Sequence, residues 1–178
     1  LPGGCSIGER PIDLHLTALK KMGATIKVKN GYIIASAKKG LKGCLIKFPK
    51  ISVGATENIL IASCLAKGKT KLRNCASEPE VIDLINFLKK IGCNIQQVGK
   101  RSIDIVGVEK LKAAVHRVIF DRIEAGTYII ATALTNGNLK INNVDPKIIS
   151  NEIGLLNKMK VKIIKKKKLY NCYMSKKN

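Results

Sequence analysis

One order of local signals runs through this 178-residue chain at a fixed interval. ALKKMGATIKVKNGYIIAS (18–36), FLKKIGCNIQQVGKRSIDIVG (87–107) and LLNKMKVKIIKKKKLYNCYMS (155–175) each read as a helix end, a strand, a tight turn and a second strand. Met22, Ile91 and Met159 correspond, which sets a period of about 69 residues. Upstream of the last two, ENILIASCLAKGKTKLRN (57–74) matches GTYIIATALTNGNLKINN (126–143). Both read as an apolar helix closed by a glycine, Gly68 or Gly137, then an alternating strand. SEPEVIDLINFLKKIG (77–92) and VDPKIISNEIGLLNKM (144–159) follow, each with Ser77 or Asp145 at a cap position, a proline, and an amphipathic helix. A short strand precedes each unit, LIKF (45–48) or RVIF (117–120). The repeat is therefore β-α-β-α-β-β. Chance alternation in a lysine-rich sequence does not reproduce an order of six elements. The fold class is α/β (α+β), built from repeated mixed units rather than a solenoid of helix pairs. Residues 1–37 end one repeat, 38–112 form a full one and 120–178 hold another.

The core of such units has to be aliphatic. Hydrophobic residues make up 46% of the chain and aromatic ones only 4%, with no Trp. The net charge is +21, which suggests either a polyanionic partner or a lysine-, isoleucine- and asparagine-rich composition of the kind AT-rich genomes encode. Lysine is spread along the whole chain and heavily outnumbers arginine, and no aromatics interleave with it as stacking platforms. Both observations favour composition over a specific nucleic-acid partner. The densest cluster, Lys165 to Lys168, reads as a hairpin turn. The six cysteines form no CxxC pair and only His15 and His116 accompany them, which argues against zinc. No signal peptide or apolar run of about 20 residues is present. These features suggest the reducing cytoplasm, with most of the thiols serving as small core residues. The chain starts at Leu1 inside what reads as a functional loop, and a fragment or split gene is the expectation.

Three stretches can carry chemistry, the first of them at two places. In LPGGCSIGERPIDLHL (1–16), Gly3, Gly4 and Gly8 surround Cys5, and Arg10 follows. A pliable loop with a thiol near a cation suits a nucleophile or proton donor, and equally fits a plain loop cysteine. Asp13 stands where a helix running to about Met22 begins; it either meets a polar ligand there or caps the helix. FPKISVGATEN (48–58) has an anion-binding shape, with charge from Lys50 and donors from Ser52 and the Gly54 backbone. It is not a P-loop: Gly68-Lys69-Thr70 lacks the glycine five positions earlier, where Ser63 stands. In FDRIEAGTY (120–128), Asp121 and Arg122 roughly match Lys50 to Ser52 one repeat on, and either face a ligand or pair with each other.

Taken together, the loop, KISVGAT, EPEVIDLINFLKKIGCNI and FDRIEAGTYIIA resemble the bacterial UDP-N-acetylglucosamine enolpyruvyl transferase family over essentially the whole chain. The resemblance implies two domains of three βαβαββ units each, with the active site in the cleft between them. It also implies that the chain crosses between domains near Asp121, so that 1–119 and 120–178 lie in different domains. The activity implied is transfer of enolpyruvyl from phosphoenolpyruvate to the 3-hydroxyl of UDP-N-acetylglucosamine, the first committed step of peptidoglycan synthesis. Neither cofactor nor metal is implied. The residue matching Cys5 acts as general acid toward the phosphoenolpyruvate methylene and is alkylated by fosfomycin. Residues matching Arg10, Pro11, Ile12, Asp13 and Leu14, and Lys50, Ile51, Ser52, Val53 and Gly54, contact the sugar nucleotide. A full member is roughly twice as long. The family's upstream lysine and asparagine, its later aspartate base and several phosphate-binding arginines have no counterpart here. The expectation is a chain that is inactive and poorly stable alone, with the remainder of the enzyme as its partner. The sister family acting on shikimate phosphate shares the fold but lacks the cysteine loop.

Overall fold

A computed structural model describes residues 11–145, 147–166 and 169–174. They form two compact units, one ending at Arg117 and the other starting at Val118.

The first unit runs α1 (Asp13–Lys21), β1 (Thr25–Lys29), β2 (Tyr32–Ser36), β3 (Leu45–Lys47), α2 (Val53–Ser63), β4 (Lys69–Arg73), α3 (Pro79–Lys90), β5 (Asn94–Gly99) and β6 (Ser102–Val106). From β3 onward this is the predicted β-α-β-α-β-β order. Strands β1 and β2 form an antiparallel hairpin whose turn residues, Asn30 and Gly31, both have positive φ (50° and 78°). Such a turn matches the twist of the flanking strands and favours Asn-Gly. The other four strands lie in the order β3-β4-β6-β5. Strands β3 and β4 are parallel, the remaining pairs antiparallel. A parallel pair needs a crossover, and α2 supplies it.

Alternation sorts the residues of β4. Thr70 and Leu72 point inward and Lys69 and Lys71 outward. The buried core gathers Ile46, Ile59, Leu60, Leu72, Ile85 and Ile105 around Phe48, the one aromatic ring among its buried residues. Two glycines let backbones approach. A Cβ on Gly43 would lie 2.5 Å from the Lys69 carbonyl, and one on Gly107 would overlap the Ala66 carbonyl oxygen. The Gly107 and Val108 N–H groups donate to the Gly68 and Cys64 carbonyls at 3.0 and 2.9 Å, so the backbone there is fixed. Further on, His116 Nε2 meets Asp83 Oδ1 at 3.1 Å, and its ring packs on Phe87.

The second unit runs α4 (Arg122–Leu134), β7 (Asn138–Asn142), α5 (Ser150–Lys158), β8 (Val161–Lys166) and β9 (Leu169–Met174), with an antiparallel sheet ordered β7-β9-β8. Ile129, Val144, Ile149, Leu156 and Val161 form its core. Lys166 lies opposite Leu169, so Lys165 and Lys166 belong to β8. Lys167 and Lys168 lie outside the described residues.

Local details depart from the sequence expectation. Residues 117–120 are not a strand, because β7 has β9 as its ladder partner and no parallel neighbour among the described residues. Helix α5 starts at Ser150, and Asp145 does not cap it. Its carboxylate accepts the Lys147 N–H at 3.0 Å, closing a turn that seats Ile149 in the core before the helix begins. Glu78, not Ser77, is the N-cap of α3, with Pro79 at the first turn. The left-handed residue closing α4 is Asn136 (φ 52°), one before Gly137. In α2 the helix ends at Ser63, and Gly68 (φ 86°) instead turns the chain into β4.

Residues at matching repeat positions in and after α2 and in α4 are apolar and exposed. Ile61 in α2 and Leu65 in the turn after it are each 56% exposed, and Ile130 and Leu134 of α4 are 46% and 79% exposed. Units that stack in a repeat protein present such faces to their neighbours.

On the outward face of β6, Asp104 accepts from Lys69 Nζ and Arg73 Nη1, each at 2.8 Å. Its side chain is only 10% exposed. The Lys69 hydrogen bond, then the Arg73 one, hold its carboxyl below the usual carboxylate range. A depressed folded pKa gives stability that is present above the unfolded value of about 4 and is lost as pH falls below it. Acid titration followed by circular dichroism is therefore expected to show an unfolding limb that flattens in Asp104→Asn, which is also less stable at neutral pH. Gly107→Ala drives a methyl into the Ala66 carbonyl and is expected to cost about 2 kcal/mol or more in urea unfolding.

Candidate functional site

Helix α2 begins at a built N-terminus. Ser52 is extended (φ −145°, ψ 121°) and its Oγ accepts the Ala55 N–H at 3.3 Å. The buried Thr56 hydroxyl donates to the Ser52 carbonyl at 2.8 Å and accepts the Ala76 N–H at 3.0 Å. This ties the start of α2 to the segment after β4. The Val53 and Gly54 N–H groups stand in the first helical turn, where the chain has no acidic residue. Lys50 is exposed just ahead of them.

Helix α1 lies against this turn. His15 Nδ1 accepts from the Asn58 amide at 3.0 Å, which leaves the proton of the neutral ring on Nε2. The ring faces Gly54, where an added Cβ would lie 3.5 Å from Cε1 and 3.7 Å from Nε2. The segments 11–14 and 50–54, far apart in sequence, therefore meet at neighbouring first turns. His15 and Asn58, which join them, carry no motif signal, because their pairing depends on two helices packing.

The candidate residues divide by what their side chains do. Leu14 is buried in the core and Val53 packs against it, so only their backbones can face a ligand. Ser52 is engaged in capping. Pro11 and Ile51 are exposed, and Ile12 is half-buried. The N-cap of α1 is Ile12, without a side-chain cap bond, so Asp13 is not the cap; it is exposed in the first turn. Cys5 and Arg10 lie outside the described residues. In the second unit Asp121 repeats the role of Ser52. Its Oδ1 accepts the Ile123 and Glu124 N–H groups at 2.8 and 3.1 Å, capping α4. It borders a concavity of about 350 Å³ with Glu124, Tyr128 and Lys140.

Cys44, Cys64, Cys75 and Cys93 are set up for packing. Burial raises Cys44, Cys64 and Cys93 above the ordinary thiol range and pushes Cys75 up to about 11 despite Arg73 nearby. Such groups stay protonated and unreactive at neutral pH.

Comparison with known proteins agrees with this architecture. A protein named UDP-N-acetylglucosamine 1-carboxyvinyltransferase from Pelagibacter ubique is 61% identical over 167 residues, covering 94% of this chain and 40% of that protein. One of the same name from Endomicrobium trichonymphae is 55% identical over 147 residues, covering 83% of this chain and 35% of its own length. The chain thus spans less than half the length of these curated relatives. The crystal structure of the enolpyruvyl transferase NikO from Streptomyces tendae superposes with a TM-score of 0.83 at 23% identity, covering 94% of this chain and 43% of that one. At that identity the likeness concerns the fold. The family model described as EPSP synthase (3-phosphoshikimate 1-carboxyvinyltransferase) matches residues 1–177, and the chain belongs to that family of enolpyruvyl-transferring enzymes.

Proposed function

We propose that this chain is the part of a UDP-N-acetylglucosamine 1-carboxyvinyltransferase that carries the catalytic loop and the sugar-nucleotide segments, working in the cytoplasm in peptidoglycan synthesis. The observation that carries this reading is the meeting of the α1 and α2 first turns through His15 and Asn58. The His15 ring stands beside Gly54 in the first turn of α2, with the exposed Lys50 just ahead of that turn; such a combination of cation, ring N–H and helix start suits the diphosphate of a sugar nucleotide. Pro11 and Ile51 add exposed apolar surface beside it. Residues 1–119 and 120–178 belong, in this reading, to the first and second domains of the whole enzyme.

The reaction asks for a proton delivered to carbon in a dry site. The sugar 3-hydroxyl oxygen adds to C2 of phosphoenolpyruvate, its proton passing to a base in the rest of the enzyme, while the Cys5 thiol gives its proton to the methylene carbon. Loss of phosphate from C2, with a C3 proton returning to the Cys5 thiolate, then restores the double bond. A glycine-flanked loop can close over the substrates and exclude water. Cys44, Cys64, Cys75 and Cys93, raised by burial, are poor rivals for that role. The remaining length of the enzyme supplies the other phosphate-binding groups and covers Ile61, Leu65, Ile130 and Leu134. The chain alone is inactive in this reading. No helix among the described residues is long and apolar enough to cross a membrane.

A chimera tests this. This chain replaces its counterpart in the Pelagibacter ubique relative, and phosphate release from phosphoenolpyruvate is measured with UDP-N-acetylglucosamine present. Activity, its loss in Cys5→Ser, and a fosfomycin adduct on Cys5 by mass spectrometry are expected. A well-folded chimera that neither turns over nor reacts with fosfomycin sinks the proposal. In the same chimera, Lys50→Ala and His15→Ala are each expected to weaken UDP-N-acetylglucosamine binding about tenfold in calorimetry, as charge-assisted hydrogen bonds are lost.

A further inference from the structure

A concavity of about 670 Å³ lies beside the β1–β2 hairpin, away from the segments described above. Its lining includes four lysines, Lys27, Lys38, Lys39 and Lys42, and two hydroxyls, Thr25 and Ser36. No Asp or Glu lines it, and none of the four lysines makes an ion pair among the described residues. The backbone holds this arrangement in place. Thr25 and Ser36 are cross-strand partners, and Lys27 lies opposite Ile34 on the same face of the hairpin. Lys38 and Lys39 are the central residues of a turn closed by the Gly40 N–H on the Ala37 carbonyl at 2.8 Å, with Gly40 at φ 73°. The Lys42 N–H donates to the Met22 carbonyl at 2.8 Å, and Lys42 bridges Lys67 in parallel.

Lys27, Lys38, Lys39 and Lys42 are exposed lysines that line one concavity, so their like charges repel each other and raise the positive potential there. A multiply charged anion relieves that repulsion. The lining has no aromatic ring on which a base could stack and no arginine fork for bidentate recognition. Charge and a pair of hydroxyls recognise a compact phosphate chain instead. We propose that this concavity is an anion site for a di- or triphosphate group, separate from the sugar-nucleotide segments and independent of the function proposed above.

The background to beat is the net charge of +21. Calorimetric titration of the chain with inorganic triphosphate at low salt compares two variants that each remove four positive charges. One is K27Q/K38Q/K39Q/K42Q. The other, K47Q/K71Q/K89Q/K90Q, changes exposed lysines outside the concavity. One saturable site is expected, weakened at least about tenfold in the first variant and less than about twofold in the second. Equal weakening in both variants, or no saturable site, overturns the proposal and leaves only diffuse attraction. Amide chemical shifts of the unaltered chain give a readout that needs no variant. Triphosphate is expected to move Thr25, Ser36 and Gly40, and shifts centred on Val53 and Gly54 instead refute the separate site.

Discussion

The β3–α2–β4 crossover is the constraint on which the first unit depends. Two parallel strands cannot be joined by a tight turn, so the chain must leave the sheet, run back along it and re-enter. Helix α2 does this, burying Ile59, Leu60 and Thr56 completely. Its return is tight enough that Gly43 and Gly107 press against the backbone at Lys69 and Ala66. Where α2 begins is therefore decided by the sheet. That position, beside α1, is where the candidate anion-binding groups collect.

Electrostatics follows from the same geometry. A chain of net charge +21 has few carboxylates to distribute. Asp104 is spent clamping Lys69 and Arg73 across β4 and β6, Asp121 caps α4, and Asp145 closes a turn. None of these three is at the first turn of α2, which has no acidic residue of its own. The Ser52 hydroxyl caps that helix start, but no carboxylate answers its dipole. The lysine-lined concavity beside the hairpin is unanswered in the same way.

Much of the fold was legible because its signals are short-range. The Asn30-Gly31 turn and the alternation of β4 lie within a few residues of chain, and the period of about 69 residues is the recurrence of such local signals. Misreadings arose where one residue has two local uses. Asp145 and Asp13 both look like helix caps, yet one closes a turn and the other sits inside the first turn. RVIF (117–120) has the composition of LIKF (45–48) but not its parallel neighbour, and a strand exists only with a partner. The candidate site was legible as segments 11–14 and 50–54. Sequence alone did not separate Lys50, which faces solvent, from Leu14, which faces the core.

By itself the sequence determined the repeat, the order of elements within it, the aliphatic core and the family. These depend on periodicity and residue type, which act locally and are written along the chain. Tertiary structure alone decided that His15 meets Asn58, that Asp104 lies between Lys69 and Arg73, and that four lysines gather around one concavity. Each of these joins residues from different elements. No local preference encodes such a meeting; it exists because burying the apolar faces of helices and strands leaves their polar neighbours one place to go.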